Sequence, residues 1–303
     1  MAVESEKSEC RRWRSIADLL APGAKGPVAF IGAPLNEKSL TPGRCDLAPK
    51  VIRETLRRLS SYDVETAADL GGLVVNDCGD LDLKLKTPEE ALAPIQSLIS
   101  KTSFAHDLVI LVGGNNAVTR AGVRGLGDLK RVGLLTLDSH FDMRDTDCGL
   151  NNGNPVRALL EDGFPGENIA QIGLQPFANT KRMHEAAKSA GIHVKTVSNC
   201  FADGTTQVVM EAVSRLSSRC DTIYADFDID VIDRSQCPGA PGARPGGISA
   251  RDFFSAARAV AAHPKVRVVD LTEFDPSLDV GDATALTAAR WVAEILAGYA
   301  ARR

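Results

Sequence analysis

Short apolar runs rich in β-branched residues alternate along this chain with longer amphipathic stretches. The runs at 28–34 (VAFIGAP), 73–78, 108–113 (LVILVG), 132–138 (VGLLTLD), 169–173, 192–197, 222–228 (TIYADFD) and 266–271 (VRVVDL) read as strands. Between them apolar residues recur at helical spacing. One stretch opens at Asp46 as an N-cap and places Ala48, Ile52, Leu56 and Leu59 on one face. Another, near 282–300, stripes Leu286, Ala289, Val292, Ala293 and Leu296. Strands this uniformly apolar are buried on both faces, and strand–helix alternation requires crossover connections. The expected fold class is therefore α/β with a mostly parallel sheet. An open sheet and a closed barrel both fit eight such units, and in both the ligands collect at the C-terminal ends of the strands. Residues 1–25 fall outside the alternation and read as an N-terminal arm with one helix around Trp13 to Leu20. No linker, repeat or low-complexity segment interrupts the remainder, so 26–303 reads as one domain.

Composition narrows the classes. The 303 residues are 44% hydrophobic and 24% charged, enough apolar content for a large core, and the formal net charge of −4 gives no reason to expect a nucleic-acid or membrane partner. The basic cluster Arg11, Arg12, Arg14 is short and reads as a solvated face. No apolar run reaches the roughly 18 residues of a membrane span, and the N-terminus lacks the apolar stretch of a signal peptide. A cytoplasmic protein is expected. Seven scattered cysteines (Cys10, Cys45, Cys78, Cys148, Cys200, Cys220, Cys237) with no CxxC pair argue against a disulfide framework and a zinc ribbon.

The chemistry sits where the strands stop. LVILVG ends in Gly113-Gly114-Asn115-Asn116, VGLLTL in Asp138-Ser-His140-Phe-Asp142, TIYADF in Asp228-Ile-Asp230-Val-Ile-Asp233, and VRVVDL in Thr272-Glu273. In a parallel sheet these four clusters share one edge. If the strand continues through it, Asp138-x-His140-x-Asp142 presents three side chains to one face, and Asp228-x-Asp230 has the same period. Carboxylates packed this closely cannot all stay ionised without a cation. One imidazole among carboxylates is a hard, oxygen-rich set that suits Mn²⁺ better than structural zinc, with enough carboxylates to bridge two ions. Each motif alone also fits ordinary turn chemistry; their coincidence at strand ends favours metal. His106, His184, His193 and His263 have no motif around them and read as surface or packing residues.

These motifs together resemble the ureohydrolase superfamily of arginases, agmatinases and formimidoylglutamases over roughly 28–300. Gly113-Gly114-Asn115-Asn116 resembles the family's Gly-Gly-Asp-His. Asp138-Ser-His140-Phe-Asp142 matches Asp-Ala-His-x-Asp, and Asp226-Phe-Asp228-Ile-Asp230-Val-Ile-Asp233 resembles Ser-x-Asp-x-Asp-x-x-Asp. The run from Pro238 through Arg244 and Pro245 to Gly247 resembles its glycine-rich loop. The resemblance implies a three-layer α/β/α fold around an eight-stranded sheet, two Mn²⁺ ions, and a homo-oligomer, trimer or hexamer. By position, Asp138 and Asp228 would bridge the ions, and His140 and Asp230 would complete one. Asp142 would help hold the other and orient a hydroxide, and Glu273 would receive the substrate's cationic nitrogen. Asp233 would fix its turn. Two departures stand out. Asn116 replaces the family's histidine, so the ion on that side should be the weaker. Asn151-Asn152-Gly153-Asn154 lacks the histidine that arginases carry near the Asn152 position, which argues against an arginase.

The segments HFDMR, GNPVR and IGLQPFANT resemble formimidoylglutamases most. The implied substrate is N-formimino-L-glutamate, an amidine with two carboxylates, hydrolysed by metal-bound hydroxide to glutamate and formamide. Arg144 can clamp a carboxylate bidentately. Asn152, Asn154, Arg157 and Gln175 are further candidates for substrate contact, with Asn179 and Arg182 beside them. Hydrolysis of another guanidino or amidino acid, a mononuclear deacetylase-like hydrolase, and a metal-binding relative without turnover remain open at this stage.

Overall fold

The computed structural model describes residues 13–302. Its strands are β1 (Leu20–Pro22), β2 (Val28–Ala33), β3 (Tyr62–Asp63), β4 (Ala68–Asp69), β5 (Val75–Asp80), β6 (Leu108–Gly113), β7 (Val132–Leu137), β8 (Ile169–Leu174), β9 (His193–Thr196), β10 (Thr222–Asp228) and β11 (Val266–Thr272). The helices are α1 (Ala48–Thr55), α2 (Pro88–Ala105), α3 (Val118–Arg124), α4 (Pro155–Glu161), α5 (Lys181–Ser189), α6 (Val197–Asp203), α7 (Thr205–Ser217), α8 (Ala250–Ala262) and α9 (Ala283–Ala300). β3 and β4 form a small antiparallel hairpin, and the other nine strands form one open sheet in the order β1-β5-β2-β6-β11-β10-β7-β8-β9. Every pairing in that sheet is parallel.

The sheet is buried between two helical layers because successive strand residues point to opposite faces and both sets are apolar. Val28, Phe30 and Ile110 join Ile52, Val209, Phe253 and Trp291 from the layer of α1 and α6–α9. Ile31, Val109 and Leu111 join Ile95, Val118, Val156 and Ala187 from α2–α5. Phe227 meets both Phe253 and Trp291 edge-on with ring centroids 5.5 Å apart, anchoring β10 to α8 and α9. α2 starts where Thr87 and Glu90 cap each other's backbone N–H groups, with Pro88 at its first position.

The sheet has nine strands, one more than the expected eight. The additional strand, β1, lies inside the stretch read as an arm. Ile16 and Leu19 are fully or nearly fully buried, Ile16–Leu19 is a single 3-10 turn, and Leu20–Pro22 pairs with β5. The described part of 1–25 is therefore built into the sheet edge. Three residues containing a proline carry no periodic signal, and an edge strand tolerates that proline. Arg11, Arg12 and Cys10 lie outside the described residues. Asp46 is not an N-cap: a 3-10 turn, Cys45–Leu47, precedes α1, and the Asp46 carboxylate pairs with Arg44 instead.

Candidate metal centre

Four neighbouring strands of the sheet, β6-β11-β10-β7, are parallel and end at the same edge. The four polar clusters follow these four strands. Register aligns the ends: Phe227 lies beside Leu137 and Asp228 beside Thr272. Asp138 and Asp228 thus emerge side by side. β7 stops at Leu137, so 138–142 is a loop and not the strand continuation expected from its alternating pattern. Asp142 reaches the site through a left-handed backbone, φ 52°, as does Glu273 at φ 61°. Such conformations are uncommon for non-glycine residues and collect at functional sites. Asp230 sits in the 3-10 turn Ile229–Val231 after β10, its N–H donating 2.8 Å to Asp228 Oδ1.

These side chains converge on one another. His140 Nδ1 lies 2.9 Å from Asp230 Oδ2 and 3.4 Å from Asp138 Oδ1. Ligand atoms of Asp138, His140 and Asp230 all fall within 4.8 Å. Asn116 Nδ2 donates to Asp142 Oδ2, and the Asn116 backbone N–H donates 2.6 Å to Glu273 Oε1. Glu273 Oε1 also accepts from Asn152 Nδ2 at 2.9 Å. Asn152 in turn accepts from the Leu40 N–H, tying the loop after β2 to Glu273. Asp138, Asp142, Asp228, Asp230 and Glu273 are all buried.

Burial without enough positive charge sets their titration. Asp138 is pushed up to about 6, first by burial and then by Asp230. Asp142 and Asp228 are raised further for the same reason, with neighbouring carboxylates adding to it. Burial raises Glu273 to about 7, against the lowering effect of Asn152 and the Asn116 N–H. His140 is held protonated up to about 12, chiefly by Asp230. Burial pushes Asp230 up, but the His140 charge and the hydrogen bonds from His140, the Ser139 N–H and Asp138 together outweigh it and its pKa is lowered. One imidazolium cannot balance these carboxyls. A hard divalent cation fits this oxygen-rich set and its missing positive charge.

A cleft of about 270 Å³ opens onto His140, Asp142, Asp228, Asp230 and Glu273, with Arg144 and Asn152 on its wall. Of the other expected contact residues, the structure brings only Asn179 to this cleft. Asn154 is buried in its own loop, donating to the Asp145 and Gly149 carbonyls and accepting from the Asn151 N–H. Arg157 pairs with Glu161 one helical turn away. Gln175 lines a neighbouring hollow with Phe141 and His184. Arg182 pairs with Asp145 at the surface. None of these four side chains lines the cleft in this structure, because sequence adjacency to a site loop does not fix the direction of a side chain. Arg244, from the glycine-rich loop, does line the cleft, as do Leu40 and Met183. Only Arg244 left a signal, a cation in a loop already tied to the site. Asp233 accepts from Ser235 and the Gly246 N–H, holding its turn. Of the six described cysteines, Cys78 and Cys148 are exposed and none is disulfide-bonded.

The family model of the arginase family matches residues 26–298. The chain is 32% identical over 274 residues to a formimidoylglutamase of Halalkalibacterium halodurans, covering 89% of this chain and 86% of that one. The crystal structure of Bacillus subtilis formimidoylglutamase superposes with a TM-score of 0.90 at 26% identity, covering 98% of this chain and 95% of that one. A Trypanosoma cruzi formiminoglutamase solved with Mn²⁺ superposes at 0.86 and 23% identity, covering 95% and 99%.

Proposed function

The chain belongs to the arginase family, and from that premise we propose that it hydrolyses the amidine C–N bond of N-formimino-L-glutamate, giving L-glutamate and formamide. The observation that carries the reading is the delivery of His140, Asp142, Asp228, Asp230 and Glu273 to one cleft, with Asp138 beside His140 and Asp230, by the three adjacent parallel strands β11, β10 and β7. The substrate follows from the similarity to formimidoylglutamases and from Arg144, a cation on the wall of that cleft.

Asp138 and Asp228 would hold two Mn²⁺ ions jointly, with His140 and Asp230 on one side and Asn116 and Asp142 on the other. Bound there, the ions supply a water activated at neutral pH. The chain's own residues do the rest. Asp142, next to Asn116, orients the nucleophile by accepting its hydrogen bond. Glu273, buried and fixed by Asn152 and the Asn116 N–H, accepts from the amidinium N–H and holds the C=N carbon in place. Arg144 binds a substrate carboxylate with its planar fork. Gly153 allows this arginine to lie against the loop: a Cβ at 153 would stand 3.1 Å from Arg144 Nε. On the same reading, residues 26–303 act as one catalytic domain in a cytoplasmic homo-oligomer, trimer or hexamer. Among the described residues no helix is long and apolar enough to cross a membrane.

The test is a substrate panel with Mn²⁺-loaded protein. Formiminoglutamate is expected to turn over faster than arginine, agmatine or guanidino acids. Arg144→Ala should raise the KM for it about tenfold or more with a smaller change in kcat, because a carboxylate clamp acts mainly through binding. Faster turnover of arginine, or a KM untouched by Arg144→Ala, would overturn the assignment.

A further inference from the structure

Behind the centre lies a buried polar chain that the reaction above leaves unused. Thr119 of α3 is fully buried, and its hydroxyl oxygen sits 2.7 Å from Asn116 Oδ1, 2.9 Å from Asp270 Oδ2 and 3.5 Å from Asp226 Oδ1. Asp270 Oδ2 also accepts the Tyr224 hydroxyl at 2.6 Å, and its Oδ1 faces the Phe227 N–H at 3.3 Å. Asp270 is therefore an acceptor on both oxygens. Tyr224 is held against α3 at Gly122, where a Cβ would collide with its ring and hydroxyl.

Thr119 has one proton to donate. If it goes to Asp270, the Thr119 oxygen faces Asn116 as an acceptor. A half-turn about χ2 exchanges the amide nitrogen and oxygen without moving their positions, so the surrounding network decides which points where. On the inner side the Asn116 amide meets two hydroxyl oxygens, Thr119 and, at 3.3 Å, Thr272. An NH₂ has two protons for those two acceptors. Its carbonyl oxygen then faces outward beside Asp142, where two oxygens in hydrogen-bond range demand a cation between them. The opposite orientation, with Nδ2 donating to Asp142, is the one that needs no cation.

Resting on the two-ion reading above, we propose that Thr119 is a positioning residue: anchored on Asp270, its hydroxyl accepts from Asn116 Nδ2 and turns the amide oxygen toward the metal site beside Asp142. The other members of the relay, Tyr224 and Asp270, keep the Thr119 proton pointed away from Asn116.

The experiment is Mn²⁺ titration followed by electron paramagnetic resonance of the free ion, on the wild-type chain, Thr119→Val and Thr119→Ser. The wild type should bind two ions per chain. Thr119→Val, of equal shape but with no hydroxyl, should weaken one of them about tenfold, the usual cost of losing a partner that orients a ligand, and leave the other within about twofold. Thr119→Ser should restore the wild-type isotherm. If circular dichroism shows that Thr119→Val does not fold, Thr119→Ala compared with Thr119→Ser makes the same test, with loss in the first and retention in the second. Two wild-type ions with no loss in the hydroxyl-free variants overturn the role of Thr119 alone. A wild-type chain that binds only one ion overturns the two-ion reading, and this inference with it.

Discussion

On the proposed two-ion reading, the side chain at position 116 sets the balance between the two metal positions. An amide oxygen is a weaker donor than imidazole, and in this chain it must also be turned the right way before it can donate at all. Asn116→His should therefore tighten the ion on that side and raise activity at limiting Mn²⁺. Metal content by mass spectrometry after dialysis, and activity titrated against Mn²⁺, would show it; equal retention of both ions by the natural chain and no gain in the variant would refute it. Asp138, His140, Asp142, Asp228, Asp230 and Glu273 were legible in the sequence because each directly follows an apolar run that could only be a buried strand. Thr119 was not. A threonine within a helical pattern carries no mark of the carboxylate that a strand from the far end of the chain sets against it. Arg157 and Gln175 show the converse, since their backbone braces the site loop while their side chains lie outside the cleft: the Arg157 N–H donates to the Asp142 carbonyl and the Gln175 N–H to the Ser139 carbonyl.

Among the elements, the long parallel strands were readable to within two residues, and their ends located the site. The loops were harder. The alternation in Asp138-x-His140-x-Asp142 suggests a strand, yet convergence is achieved by a loop with one left-handed residue, stabilised by Asn179, which accepts from the Phe141 N–H and donates to the Ser139 carbonyl. The glycine-rich loop 238–247 was legible as a loop, but its use is steric. A Cβ on Gly242 would fall on Asp230 Oδ2 and stand 3.1 Å from His140 Cε1. The loop backbone lies directly on the pair proposed to hold one ion. Gly242→Ala should displace Asp230 or His140, lowering bound metal and turnover together while leaving far-ultraviolet circular dichroism of the metal-free chain unchanged. Full metal content in that variant would mean that the loop gives way instead.

For the molecule as a whole, the centre is a cost that a bound metal would offset. In the metal-free chain Asp138 titrates near 6 and Glu273 near 7, with burial as the chief cause, whereas the unfolded values are 3.8 and 4.5. Between 3.8 and 6 for the first, and 4.5 and 7 for the second, the folded chain holds a proton that the unfolded chain has released. Stability must then fall as pH rises through both windows. Asp142 and Asp228, also raised, act with the same sign. His140, raised from 6.5 to about 12 by Asp230, stabilises fully below 6.5 and loses that contribution as pH climbs toward 12, again the same direction. Asp230, lowered by His140, opposes them only below its ordinary value of 3.8. On the proposed reading Mn²⁺ would take the place of these protons, so its affinity should rise with pH, and each site would add roughly 2.7 kcal/mol when free metal is a hundred times its Kd. Calorimetric melting with Mn²⁺ and with a chelator, at pH values from about 5.5 to about 8.5, should show a gap in melting temperature that widens as pH increases, mostly because the chelated protein loses stability. A gap that stays constant or narrows would mean that the buried carboxyls are not the charge the metal neutralises, and would remove the electrostatic ground for placing it there.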